Sequence, residues 1–98
     1  MTARAAAELQ HEDRDVRVTL WRFAPGTETG WHVHEFDYVV VPVQGGSLTV
    51  ETTAGRAAYP IHTAQSYARR KGTEHNIINE TGSEIAFVEI ELKAAAPQ

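Results

Sequence analysis

The chain has 98 residues, of which 42% are hydrophobic and 22% charged, with a formal net charge of −4 and no cysteine. That suffices for one compact globular domain and not two. It excludes disulfide staples, thiolate metal sites and thiol nucleophiles, and the only basic cluster, Arg69, Arg70 and Lys71, gives no basic face for nucleic acid.

Residues 1–14 read as an N-terminal arm, in which Ala3 to Gln10 could be helical or equally just part of the arm. The arm lacks the long apolar core of a secretory signal, and no later apolar run approaches the roughly 18 residues of a membrane span. The expectation is therefore a cytoplasmic protein with no membrane partner.

From Asp15 onward nearly every segment reads as strand. "DVRVTLWRFA" alternates Val16, Val18 and Leu20 against Arg17, Thr19 and Trp21, and Pro25-Gly26 ends it. The Val16/Val18/Leu20 face is taken as the core face. Trp21 and Phe23 then fall outside, as a surface for a second sheet or a homodimer partner. "YVVVPV" (Tyr38 to Val43) is a β-branched run whose Pro42 demands an edge or a bulge. Gly45-Gly46 suits a tight hairpin with positive φ, and Ala54-Gly55 another turn. "QSYARR", "EHNIIN" and "IAFVEIEL" follow. In the last, Val88, Ile90 and Leu92 share one face, Glu89 and Glu91 the other. About eight short strands at turn spacings of roughly 8–12 residues predict an all-β sandwich or barrel over residues 15–93, with a frayed tail at 94–98.

Within this pattern His32 and His34, one residue apart, point to the same side of a strand. Two imidazoles so placed can reach one ion with bonds of about 2.0–2.1 Å. A third ligand must come from another strand, and His75, which opens a strand after Gly72, is the candidate. The alternative is a pair of solvated surface histidines. Against it, Phe36, Tyr38 and Val40 continue the same face and Val33 turns away into the interior. An unpaired ring on such a face is costly.

The spacing resembles the cupin family. In that family the first motif runs Gly, five residues, His-x-His, three or four residues, Glu, six residues, Gly. Here Gly26 is followed by five residues and His32-Val33-His34; three residues later comes Tyr38, and six more lead to Gly45. The second motif, Pro-x-Gly-x-x-His-x-x-x-Asn, is matched at Gly72, His75 and Asn79, with Arg70 in place of the proline. The chain looks like the short bacterial cupins with H-x-H-x-x-D-Y-V-V-V, some of them linked to β-alanine degradation. The resemblance spans residues 16–92 and implies a double-stranded β-helix of antiparallel strands. It also implies a divalent transition metal (iron, zinc, nickel or manganese) on His32, His34 and His75. The departure is Tyr38 at the Glu position. Either the centre has three histidines, as in the thiol dioxygenase branch, or Asp37 or Tyr38 supplies a fourth ligand. Strand parity favours Tyr38 over Asp37, but a neutral phenol with a pKa of about 10 is a poor ligand. Tyr38 is thus expected beside the ligands, as a candidate catalytic or substrate-contacting residue.

Other residues carry less. Arg22 is a candidate for an anionic substrate, or a rim arginine with a carboxylate partner. Glu35 and Asp37 are the other candidate bases. His11 and His62 read as solvated, and Asn79 as a residue that orients backbone near a turn. Three functions compete. One is a metalloenzyme acting on a small organic substrate, with dioxygenase-like chemistry on iron ahead of isomerisation. Another is a non-catalytic module for a metal or small ligand. The third is a structural homodimer whose barrel is filled by side chains.

Overall fold

The computed structural model describes residues 3–93; the expected frayed tail at 94–98 lies outside the described residues. The strands are β1 (Ala3–Arg4), β2 (Ala6–Glu12), β3 (Val16–Phe23), β4 (Thr27–Glu28), β5 (His32–Val33) and β6 (Asp37–Gln44). They continue with β7 (Gly46–Thr52), β8 (Gly55–Ile61), β9 (Tyr67–Arg69), β10 (Glu74–Ile78) and β11 (Ile85–Leu92). Among the described residues no helix is long and apolar enough to cross a membrane.

Two sheets form, in the orders β2-β3-β11-β6-β9 and β1-β4-β10-β7-β8, with β5 paired onto β10. All pairs are antiparallel except the two-residue contact of β1 with β4. The inner faces meet in a core of Phe23, Tyr38, Val40, Leu48, Ile61, Ile85 and Phe87. This is a double-stranded β-helix.

The alternation on β3 and β11 holds, but its inner face is the reverse of the one expected. Phe23 is fully buried in the core and Trp21 stacks toward it at 6.2 Å. In register, Phe23 lies opposite Ile85, Trp21 opposite Phe87, Thr19 opposite Glu89 and Arg17 opposite Glu91. The barrel interior therefore grades from aromatic to charged along these strands. Val16, Val18, Leu20, Val88, Ile90 and Leu92 form the opposite face, which Val39 and Val41 of β6 extend; Leu20, expected in the core, is buried there, whereas Val16 and Val18 are only partly covered. Both rows contain large apolar side chains, so alternation alone cannot tell which one faces in. Bulky rings fill the wide gap between two sheets better than valines do.

Ala3 to Gln10 is extended, not helical. β2 adds to the free edge of β3, and β1 joins the opposite sheet. Unpaired backbone at a sheet edge outweighs the weak helix preference of the alanines. Gly45-Gly46 is not a positive-φ hairpin either, because the chain crosses there from one sheet to the other. The reason for glycine is close approach. A Cβ on Gly45 would lie 2.6 Å from the Ile61 carbonyl oxygen, and one on Gly46 2.7 Å from the Ile85 side chain. Pro42 lies at a bulge, where the register of β6 against β11 shifts. Pro60 is on β8, an edge strand.

Candidate metal centre

β10 pairs with β5 so that His75 lies directly opposite His32. Directly opposed residues have neighbouring Cβ atoms, which brings the two rings to one spot with centroids 4.7 Å apart. His34 lies beyond the end of β5. Its N–H donates to the Thr73 carbonyl at 2.9 Å and its carbonyl accepts from Gly72 N–H at 2.8 Å. Gly72, at φ +88°, provides the turn that makes this clasp. The β5–β10 pairing and the segment just after β5 thus present all three histidines.

Their Nε2 atoms converge. His34 Nε2 is 3.1 Å from both His32 Nε2 and His75 Nε2. Two ligand nitrogens on bonds of about 2.1 Å are roughly 3.0 Å apart at right angles and roughly 3.4 Å apart at a tetrahedral angle. The observed spacing falls between these. Three nitrogens cannot all be satisfied by proton sharing among themselves, whereas one cation satisfies all three. His32 Nδ1 donates to the Gly30 carbonyl at 2.8 Å, which leaves its lone pair on Nε2, toward the centre. Burial, with His32 nearby, holds His34 down to about 4, and burial likewise holds His75 to about 4. Both are neutral at neutral pH, the form that ligates a metal. The residues fit a divalent transition metal.

Tyr38 stacks on His34, with centroids 3.9 Å apart and planes 18° from parallel. Its hydroxyl is buried without a hydrogen-bond partner among the described residues, and burial, with Glu89 nearby, raises its pKa to about 12. It is a neutral phenol behind a ligand. Asp37 accepts from Lys71 N–H at 2.8 Å and has Arg70 at 4.0 Å, so the 70–71 turn takes up its carboxylate. The group of residues able to share an ion is His32, His34 and His75 without it. Arg22 is exposed with Glu84 at 4.0 Å, as a rim arginine. Glu35 is exposed beside His34, and Val33, expected inside, is exposed too. His11 bonds Asp13 on the surface and His62 is exposed. Asn79 is buried and donates to the Phe23 and Ser83 carbonyls while accepting from Thr81, tying the β10–β11 turn to β3.

Two further residues escaped the sequence reading. Glu89, read only as sharing a face with Glu91, projects inward. It lines both a cavity of about 410 Å³ shared with His75 and one of about 240 Å³ shared with His32 and His34. It is buried with no hydrogen-bond or ion-pair partner among the described residues, and burial, with Glu91 nearby, raises its carboxyl to about 7. Glu91 instead takes a two-pronged ion pair with Arg17, at 2.9 and 2.7 Å. The signal was Glu89 and Glu91 sharing a face with Arg17 across the ladder. Asn76 accepts from Gly30 N–H at 3.0 Å and donates to Glu28 and Glu51 at 2.7 and 3.0 Å. It fixes the Gly30 loop that orients His32. An asparagine inside a strand, where its propensity is poor, was its signal.

The barrel and its convergent histidines define a cupin, and the chain belongs to that family. It is 48% identical over 89 residues to the β-alanine degradation protein BauB of Pseudomonas aeruginosa, covering 91% of this chain and 94% of that one. It is 47% identical to a cupin domain from Bordetella pertussis of solved structure, with a TM-score of 0.93 over 96% of this chain and 98% of the other. An RmlC-like cupin of double-stranded β-helix fold from Methanocaldococcus jannaschii superposes with a TM-score of 0.75. At 11% identity, over 90% of this chain and 79% of that one, it shows the fold alone. No protein-family model matches the chain.

Proposed function

We propose that the chain is a metal-dependent enzyme that acts on a small organic substrate in the cavity beside the histidine triad. The observation that carries this reading is the convergence of the Nε2 atoms of His32, His34 and His75 with no carboxylate among them. A bound divalent metal supplies Lewis acidity there and, if it is iron, oxygen chemistry. The chain's own residues do the rest. Gly30 and Asn76 orient His32, Tyr38 backs His34, and Glu89 is the buried carboxyl placed to accept or return a proton. The barrel is not filled by its side chains, because the cavity of about 410 Å³ opens against His75, which favours a ligand site over a purely structural role.

Dioxygenase-like chemistry is the first version, in keeping with the all-nitrogen donor set. The name of the 48%-identical relative supports a place in the breakdown of small amino-acid-derived compounds. Oxygen uptake by the iron-loaded protein, measured across thiols, diketones and amino-acid-derived acids, tests it. Uptake that depends on one substrate class is the expected result; none across the panel contradicts it. A non-catalytic binding module is the second reading, favoured by Tyr38 at the position of the family's carboxylate.

The apolar outer face of β3, β11 and β6 replaces Trp21 and Phe23 as the surface for a homodimer, with a second copy of the chain as its partner. A two-fold axis would set this face against the same face of the second copy.

A further inference from the structure

The larger cavity is walled by hydrocarbon from Val40, Leu48, Val50, Ile77 and Phe87. Its charged groups are Arg69 and Glu89, with Arg56 at the periphery already engaged by Glu51 and Glu80. The short strand β9 turns Tyr67 and Arg69 to the same side, opposite Val40 and Tyr38 in register. The Arg69 guanidinium lies 4.8 Å from the Tyr67 ring centroid and 5.2 Å from that of Tyr59. One Nη donates to the Tyr59 hydroxyl and the other to the Ala68 carbonyl at 2.8 Å. Two rings therefore hold the cation in place without neutralising it. Arg17, Arg22 and Arg56 each have a carboxylate within ion-pairing distance, and Arg69 has none among the described residues. A guanidinium has five N–H groups, so donors remain for a planar anion.

Glu89 lines the same cavity and is buried with no hydrogen-bond or ion-pair partner among the described residues. A second anionic group placed in the cavity would face this carboxyl in a poorly solvated space, where like charges repel strongly.

We propose that this cavity takes a small organic monocarboxylate, its carboxylate on Arg69 and its apolar body along Val40, Leu48 and Phe87, with Glu89 excluding dicarboxylates. The inference rests on the reading of this cavity as the substrate site. It is tested by NMR titration of the ¹⁵N-labelled protein at pH 8 with hexanoate, hexanamide and adipate, which share one chain length. Hexanoate should give saturable shifts at Tyr67 to Arg69, with hexanamide and adipate at least about tenfold weaker, the scale of a charge-assisted hydrogen bond. Arg69→Gln should abolish the preference for hexanoate over hexanamide, Arg69→Lys should restore part of it, and Glu89→Gln should bring adipate toward hexanoate. Equal binding of hexanoate and hexanamide, or a preference untouched by Arg69→Gln, overturns the proposal. A zinc titration of the same samples reports separately on the triad. Zinc uptake without hexanoate binding sinks the monocarboxylate alone, and hexanoate binding without zinc uptake sinks the metal alone.

Discussion

Tyr38 lies flat against His34, its ring centroid 3.9 Å away and its hydroxyl buried with no partner among the described residues. The ring and the hydroxyl thus have separable effects. Tyr38→Phe keeps the stacked ring and removes a hydroxyl that costs about 1–3 kcal/mol to leave unpaired. The variant should be as stable as the parent or more so in urea unfolding, with zinc affinity within about threefold. Tyr38→Ala should lose about 3–5 kcal/mol. A large loss of metal in Tyr38→Phe would instead make the hydroxyl a ligand.

Asn76 fastens three chain segments. Replacing it with alanine frees Gly30 N–H and leaves Glu28 and Glu51 without the amide between them. The loss should be about 2–4 kcal/mol, with about tenfold weaker metal binding because His32 loses its fixed carbonyl partner. Isothermal titration with zinc checks the second figure; unchanged affinity would detach the Gly30 loop from the site.

Stability should depend on pH in two opposed ways in the metal-free protein. Glu89 holds its proton up to about 7 when folded, against 4.5 as its ordinary value, so its contribution is intact below about 4.5 and is lost as pH rises through 7. His34 and His75, held near 4 against 6.5, contribute fully above 6.5, and that contribution is lost as pH falls toward 4. Glu89→Gln removes only the first effect. It should be about 3 kcal/mol more stable than wild type at pH 8 and equal to it near pH 4. Urea unfolding at pH 4, 6 and 8 checks this, and an offset that does not vary with pH would contradict it.

Local chain chemistry announced much of this molecule and concealed one thing systematically. Periodicity marked β3, β6, β7, β10 and β11, because alternating β-branched residues have few other uses. The triad was legible because two histidines one residue apart and a third after Gly72 form a spacing that sheet geometry brings together. What alternation could not reveal was which side is inside. Trp21, Phe23, Glu89 and Glu91 share one face and Val18, Leu20, Val88 and Ile90 the other, and only the partner sheet decides between them. Glu89 was therefore not singled out as a site residue. β1 and β2 were hidden for a similar reason, since their conformation comes from the edges they join rather than from their alanines.

The outer face makes its own prediction. In solution the mass should be that of two 10.8 kDa chains by light scattering. Val41→Lys puts a charge in the middle of that face, and it should yield folded single chains with an unchanged circular dichroism spectrum. A wild-type mass of one chain would remove the dimer.

The central claim is that His32, His34 and His75 hold a metal together. Its most direct measurement is elemental analysis of protein purified without added metal, alongside His75→Ala. The account predicts close to one equivalent of iron, zinc, nickel or manganese in the wild type and less than about a tenth in the variant, since two histidines make a weak site. Wild-type protein with less than about a tenth of an equivalent, and unable to take up iron, cobalt or zinc at micromolar levels, would contradict it.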